Sequence, residues 1–193
     1  MDKKKRSFRV DAHQHFWVYN QKEYKWIDVS MVKLQRDFLP PHLNKELKRN
    51  GIDFCITVQA RQTLQETKWL LELAQNNSFI KGIVGWVDLK SNSVERDLEQ
   101  FTAYTKFKGV RHVLQDEKDD RYMLNSDFKK GISQLEIFGP NRLLFGSDWP
   151  VCKVAAKYKQ VLGIVNNFIS SLSPVAQACI MGQNAIDFYN LEV

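Results

Sequence analysis

The residues with the most chemical potential stand together near the amino end, in Asp11-Ala12-His13-Gln14-His15-Phe16-Trp17, directly after the alternating run Phe8-Arg9-Val10. Read as a β-strand, this run places side chains two apart on one face, so His13 and His15 point the same way. Two imidazoles side by side at a strand end can hold one divalent cation, each through one ring nitrogen. The same pattern also describes one histidine satisfied in a core and another in solvent. What decides between the two readings is whatever else the chain brings to that end.

The elements that follow have a regular rhythm. Residues 16–50 read as a long aromatic loop, with Trp17, Tyr24 and Trp26 as either pocket wall or packing, and a short helix over Leu43–Arg49 stopped by Asn50-Gly51. Strands are predicted at Asp53–Ala60, Ile80–Asp88 and Gly109–Gln115, separated by helices at Gln65–Asn76 and Asn92–Phe107. Strand starts about 27 residues apart leave room for one strand and one returning helix, the spacing of parallel βα units. A charged turn at Asp116–Asp120, a helix at Asp127–Glu136 and the turn Phe138-Gly139-Pro140-Asn141 lead into a last strand at Arg142–Asp148. Helices over Val154–Ser171, from Ser173-Pro174 onward and over Asn184–Tyr189 close the chain.

Every polar group of note falls at the carboxyl end of a predicted strand: His13 and His15, Gln59, Asp88, Arg111 and His112 with Gln115, and Asp148. In parallel βα folds that end binds ligands. Asp148 also reads as a turn former before Trp149-Pro150, and Arg111-His112 as a polar strand end.

Composition narrows the class. At 193 residues with 44% hydrophobic and 26% charged, the chain suits one soluble domain with its own core. The formal charge of +6 draws on the leader Lys3-Lys4-Lys5-Arg6, and no basic run recurs beside aromatics, so nucleic acid is not an expected partner. Cys55, Cys152 and Cys179 are odd in number and lack C-x-x-C spacing, which speaks against a disulfide framework or a cysteine zinc site. With neither a signal-peptide core nor an apolar run of membrane length, the expected place is the cytoplasm, with no membrane partner. Residues 1–7 are expected to be a basic flexible leader and residues 8–193 one domain.

Taken in order, D-A-H-Q-H-F-W, T-V-Q-A, G-I-V-G-W-V-D-L, G-V-R-H-V-L-Q and F-G-P-N-R-L-L-F-G-S-D-W-P-V-C resemble the sugar-lactonase branch of the amidohydrolase superfamily, metal-dependent hydrolases with a TIM barrel. The resemblance covers nearly all of residues 8–190. It implies that His13, His15 and Asp148 face a lactone or amide carbonyl, with or without one divalent metal, zinc before others. Asp148 is then the base that activates water. It also implies substrate contacts from Arg111 and His112, the substrate being a small sugar-acid lactone; Trp17, Gln59 and Trp149 are further expected substrate contacts.

The chain departs from that family in one block. A typical (β/α)8 barrel needs about 250 residues, whereas five strands are legible here. The break falls between Gly131–Leu135 and Ile137-Phe138, where the helix after the fourth strand meets the turn before the family's eighth. The fold class expected is therefore α/β, an incomplete (β/α)8 barrel of about five parallel strands in the order 4-3-2-1-8. Both edges of such a sheet are open, so a homo-oligomer that covers them is a further expectation. Two functions follow from this: a lactone hydrolase centred on His13, His15 and Asp148, or an inactive remnant that binds a ligand or partner through its open side.

Overall fold

In the computed structural model, which describes residues 7–113, 126–127 and 144–193, four strands form one parallel sheet. They are β1 (Val10–Gln14), β2 (Phe54–Val58), β3 (Ile80–Gly85) and β4 (Phe107–Val110), hydrogen-bonded in the order β1-β2-β3-β4. Helix α1 (Pro40–Asn50) precedes β2, α2 (Leu64–Asn76) links β2 to β3, and α3 (Val94–Thr102) links β3 to β4. This is the βα alternation expected from the strand spacing. The leader residues 1–6, the turn at 116–120, Gln115, nearly all of the 127–136 helix and the 138–141 turn lie outside the described residues.

The expected fifth strand is present as an extended segment rather than a full ladder. Residues 144–149 run beside β1 on the side away from β2. The bonds are Ala12 N–H to the Phe145 carbonyl (2.8 Å), Asp148 N–H to the His13 carbonyl (2.8 Å) and His15 N–H to the Trp149 carbonyl (2.6 Å). A parallel bridge joins Gln14 and Trp149. From one side to the other the order is β4-β3-β2-β1 and then this segment, as anticipated for a barrel with its middle strands missing. Gly146 makes the approach feasible, because a Cβ there would lie 2.6 Å from the His13 Cβ.

Among the boundaries that differ from the sequence reading, three bear on the site. The helix expected to run to Phe107 stops at Thr102, because Phe107 is drawn into β4, pairing with Ile83. The strand β4 therefore ends at Val110, and Arg111 and His112 follow it rather than belong to it. The helix expected from Val154 starts at Tyr158: a 3-10 turn occupies Val151–Val154, and α4 (Tyr158–Ile169) begins where the Gln160 side chain accepts the Lys157 N–H at 2.8 Å. Helix α5 (Pro174–Ala178), a π turn (Cys179–Gln183) and α6 (Asn184–Tyr189) follow.

Two apolar layers cover the two faces of the sheet. The larger joins Leu43 and Leu47 of α1, Leu70, Leu71 and Ala74 of α2, Phe101 of α3 and Leu162 of α4 with Cys55, Ile80 and Ile83 of the strands. The smaller places Val10, Ala12 and Ile56 against Ala185 of α6 and Leu191. Each helix thus buries one stripe against the sheet, the expected use of 3.6-residue periodicity. No helix among the described residues is long and apolar enough to cross a membrane.

Candidate active site at the carboxyl ends of the strands

His13, His15 and Asp148 meet. One ligand atom from each lies within 4.8 Å of the others. His15 Nε2 is 3.2 Å and His13 Nε2 3.8 Å from Asp148 Oδ1, and the two imidazoles stand edge to face with centroids 4.9 Å apart. The period-two argument therefore holds for the histidine pair. It does not extend through the whole strand, because the register with β2 shifts between Asp11 and Gln14. Ala12 stays with the smaller apolar layer, while Asp11 reaches across to α4.

The contacts of His15 show which ring nitrogen must carry a proton. His15 is buried, and its Nδ1 lies 2.9 Å from the Val58 carbonyl. A carbonyl only accepts, so Nδ1 carries a proton, and Nε2 is the ring nitrogen that faces Asp148; in the neutral ring that nitrogen presents its lone pair. A lone pair and a carboxylate oxygen 3.2 Å apart repel unless a proton or a cation lies between them. The chemistry of the donor set thus fits a divalent cation held by two imidazoles and one carboxylate. His13 supports the same fit: burial, then the neighbouring His15, lower its pKa to about 4 against a partial opposing pull from Asp148. It is neutral at pH 7, with a nitrogen able to coordinate.

Asp148 sits in an unusual backbone state, with φ of 53°, a left-handed conformation that costs a non-glycine residue of order 1 kcal/mol. Its neighbours hold it there. Ser147 donates its N–H (2.9 Å) and its hydroxyl (2.5 Å) to the buried carboxylate of Asp11. The Ser147 hydroxyl oxygen accepts the Trp149 N–H at 3.0 Å, and Cys152 N–H donates to the Asp148 carbonyl at 2.8 Å. The Tyr158 hydroxyl from α4 also donates to Asp11, at 2.9 Å. Burial raises the Asp11 carboxyl to about 6 despite these donors. Asp11, Ser147 and Tyr158 were not singled out from the sequence. The signal available was an acid in an otherwise apolar strand, two residues before the first histidine.

The remaining expected site residues divide by position. Arg111 joins the site: with His15, Asp148, Trp26, Ala60, Val113 and Val151 it lines a cavity of about 260 Å³. Gln59 supports it from behind, fully buried, its side-chain amide donating to the Arg111 carbonyl at 3.2 Å while Arg111 Nη1 donates to the Gln59 carbonyl at 3.4 Å. His112 faces elsewhere and accepts the Trp86 indole N–H on Nδ1 at 3.3 Å. Asp88 is a turn former, accepting the Lys90 N–H at 3.0 Å.

Neither Trp17 nor Trp149 is a wall of the cavity, contrary to the expectation of substrate contact. Trp17 is 0% exposed, with its indole N–H on the Arg36 carbonyl at 2.9 Å and its ring against Phe38 and Tyr24. Trp149 is 1% exposed and packs on Phe16 and Phe38. A large aromatic in this loop buries more apolar area in the core than at the mouth, so only Trp26 of the three loop aromatics first considered is left at the cavity.

Comparison with known proteins agrees with this geometry. A family model described as Amidohydrolase matches residues 126–191. An amidohydrolase of Burkholderia multivorans, solved with bound zinc, superposes with a TM-score of 0.89 at 26% identity, over 96% of this chain and 100% of that one. The chain is thus similar to amidohydrolases in both sequence and fold. It is 26% identical to an L-fucono-1,5-lactonase of Burkholderia multivorans, over 96% of this chain and 97% of that relative. To an L-fucono-1,5-lactonase of Burkholderia ambifaria it is 38% identical over 117 residues, which is 61% of this chain and 40% of that relative. The first of these alignments extends over 287 residues against a chain of 193. It therefore crosses internal stretches of the relative that have no counterpart here, as the missing block of strands requires.

Proposed function

We propose that this chain hydrolyses a sugar-acid lactone, with His13, His15 and Asp148 as the reactive group. The observation that carries this reading is the convergence of those three side chains, from two distant parts of the sequence, within 4.8 Å of one another. Lactonase relatives and a zinc-bound structural neighbour support it.

His13 Nε2, His15 Nε2 and Asp148 Oδ1 are the atoms that would hold a divalent cation, zinc before others. When bound, such an ion polarises a carbonyl and lowers the pKa of a coordinated water. The chain's own residues then account for the rest. Asp148, half exposed, turns Oδ1 to the histidines and leaves Oδ2 to take the proton as water attacks the lactone carbonyl carbon. The ring C–O bond breaks, and the same proton passes to the departing ring oxygen, giving a hydroxy acid. Arg111 lines the same cavity as Asp148, and its guanidinium would steady negative charge on the carbonyl oxygen. Without metal, Arg111 and His15 would be left to carry that charge.

The test is a pH-indicator screen of aldonolactones with zinc-supplied protein, alongside Asp148→Asn. Loss of about 10²–10⁴-fold in kcat with the fold intact is the expected result. Zinc bound at stoichiometric level with no turnover of any lactone would replace this reading by the binding remnant, which the internal gap relative to the lactonase favours.

A further inference from the structure

Arg61 lies just past the end of β2 with a carboxylate on either side. Behind it is Glu66, in the first turn of α2 and 0% exposed. Glu66 Oε2 accepts the backbone N–H of Ala60 (3.1 Å) and of Arg61 (2.7 Å), and Oε1 lies 3.8 Å from Arg61 Nε. In front, Arg61 Nη1 is ion-paired with Glu23, and its guanidinium lies 5.3 Å from the centre of the Tyr24 ring.

Glu23 and Tyr24 belong to the long loop that leaves β1. Two residues beyond Tyr24 is Trp26, packed edge to face on Trp17 at 5.8 Å. Trp26 lines the cavity that holds His15, Arg111 and Asp148. It also lines a second cavity of about 620 Å³, shared with Ala60, Arg61 and Glu23. Trp26 and Ala60 therefore border both spaces, and Arg61 follows Ala60 directly in the chain.

A wholly buried carboxylate is costly unless its partners are fixed. Here every partner it has belongs to the loop after β2. That burial also pushes the Glu66 carboxyl up to about 7. A helix cap alone does not call for Glu66, since Thr63 already accepts the Glu66 N–H at 3.2 Å.

We propose that Arg61, seated by Glu66, is a positioning residue that straps the loop after β1 across the mouth of the site through Glu23 and Tyr24. In doing so it sets Trp26 as the wall that substrate meets. It touches no reacting atom. Only the kinetic consequence rests on the lactone-hydrolase reading; the strap itself does not.

The experiment compares wild type, Glu23→Gln, Arg61→Met and Arg61→Lys by two measurements: steady-state kinetics on a turned-over lactone, and hydrogen exchange of the backbone amides of residues 22–27. A partly exposed ion pair corresponds to about a fivefold effect. KM is expected to rise by that factor in Glu23→Gln and Arg61→Met, with kcat unchanged and exchange in residues 22–27 faster. Arg61→Lys, which keeps the charge but not the planar stacking on Tyr24, should fall between. Unchanged exchange overturns the strap, and raised KM with unchanged exchange would place Arg61 on the substrate instead. Faster exchange with unchanged KM would free Trp26 of any part in binding. If wild type turns over no lactone, the functional reading fails, and exchange together with the Trp26 indole N–H shift in Arg61→Met still decides the strap, an unmoved pair overturning it.

Discussion

At the scale of single residues, the site depends on where two kinds of charge are allowed to be. Asp11 is buried under the histidine pair and is bonded to Ser147 and Tyr158, so the hydroxyl of Ser147 both donates to a carboxylate and accepts from Trp149. Ser147→Ala removes both bonds and leaves part of a buried carboxylate unpaired. That change should cost about 1–3 kcal/mol of stability, read as a lower denaturation midpoint with the same denaturant slope. Glu66 makes a prediction of pH dependence. Its folded pKa is raised from the ordinary 4.5 to about 7, by burial, against Arg61 and the two backbone donors and with a small push from Glu23. Between those values the native state keeps a proton that the unfolded chain has released, so stability falls as pH rises through that window. The contribution is up to about 3 kcal/mol, and Glu66→Gln should flatten that part of the profile of melting temperature against pH.

At the scale of elements, the decisive contact is between β1 and residues 144–149. The two histidines come with β1 and the carboxylate with the second segment, so the site exists only while these backbones stay in register. Gly146 is the closest point of that contact, its Cβ position being 2.6 Å from the His13 Cβ. Gly146→Ala must push the segment away, costing about 1–3 kcal/mol and weakening zinc binding more than a comparable substitution far from the seam. Isothermal titration with zinc, set beside the melting temperature, separates the two effects. The loop after β1 is the second element with consequences, since it places Trp26 at the cavity while Trp17, Tyr24 and Phe38 anchor it in the core.

At the scale of the whole molecule, a cation at the site would join β1 to the segment beside it, which comes from a distant part of the sequence. Because such an ion binds the folded form, it stabilises by mass action. Zinc at about 100 times its dissociation constant should add roughly 2.7 kcal/mol. The melting temperature should rise accordingly, return with a chelator, and fail to respond in His13→Ala and His15→Ala. An equal rise in those variants would show zinc acting elsewhere on the chain.

The parallel βα order, the pairing of His13 with His15 and the meeting of Asp148 with them were all legible from the chain alone. Periodicity and spacing are local properties, and the resemblance to a known family named the distant partner of the histidines. What only the folded chain decided was which side chains face the cavity. Trp17 and Trp149 turned into the core because their rings have more area to bury there than at the mouth. Asp11 found its partners Ser147 and Tyr158 up to 147 residues away in the sequence, and no local pattern encodes a contact made by the closing of a sheet.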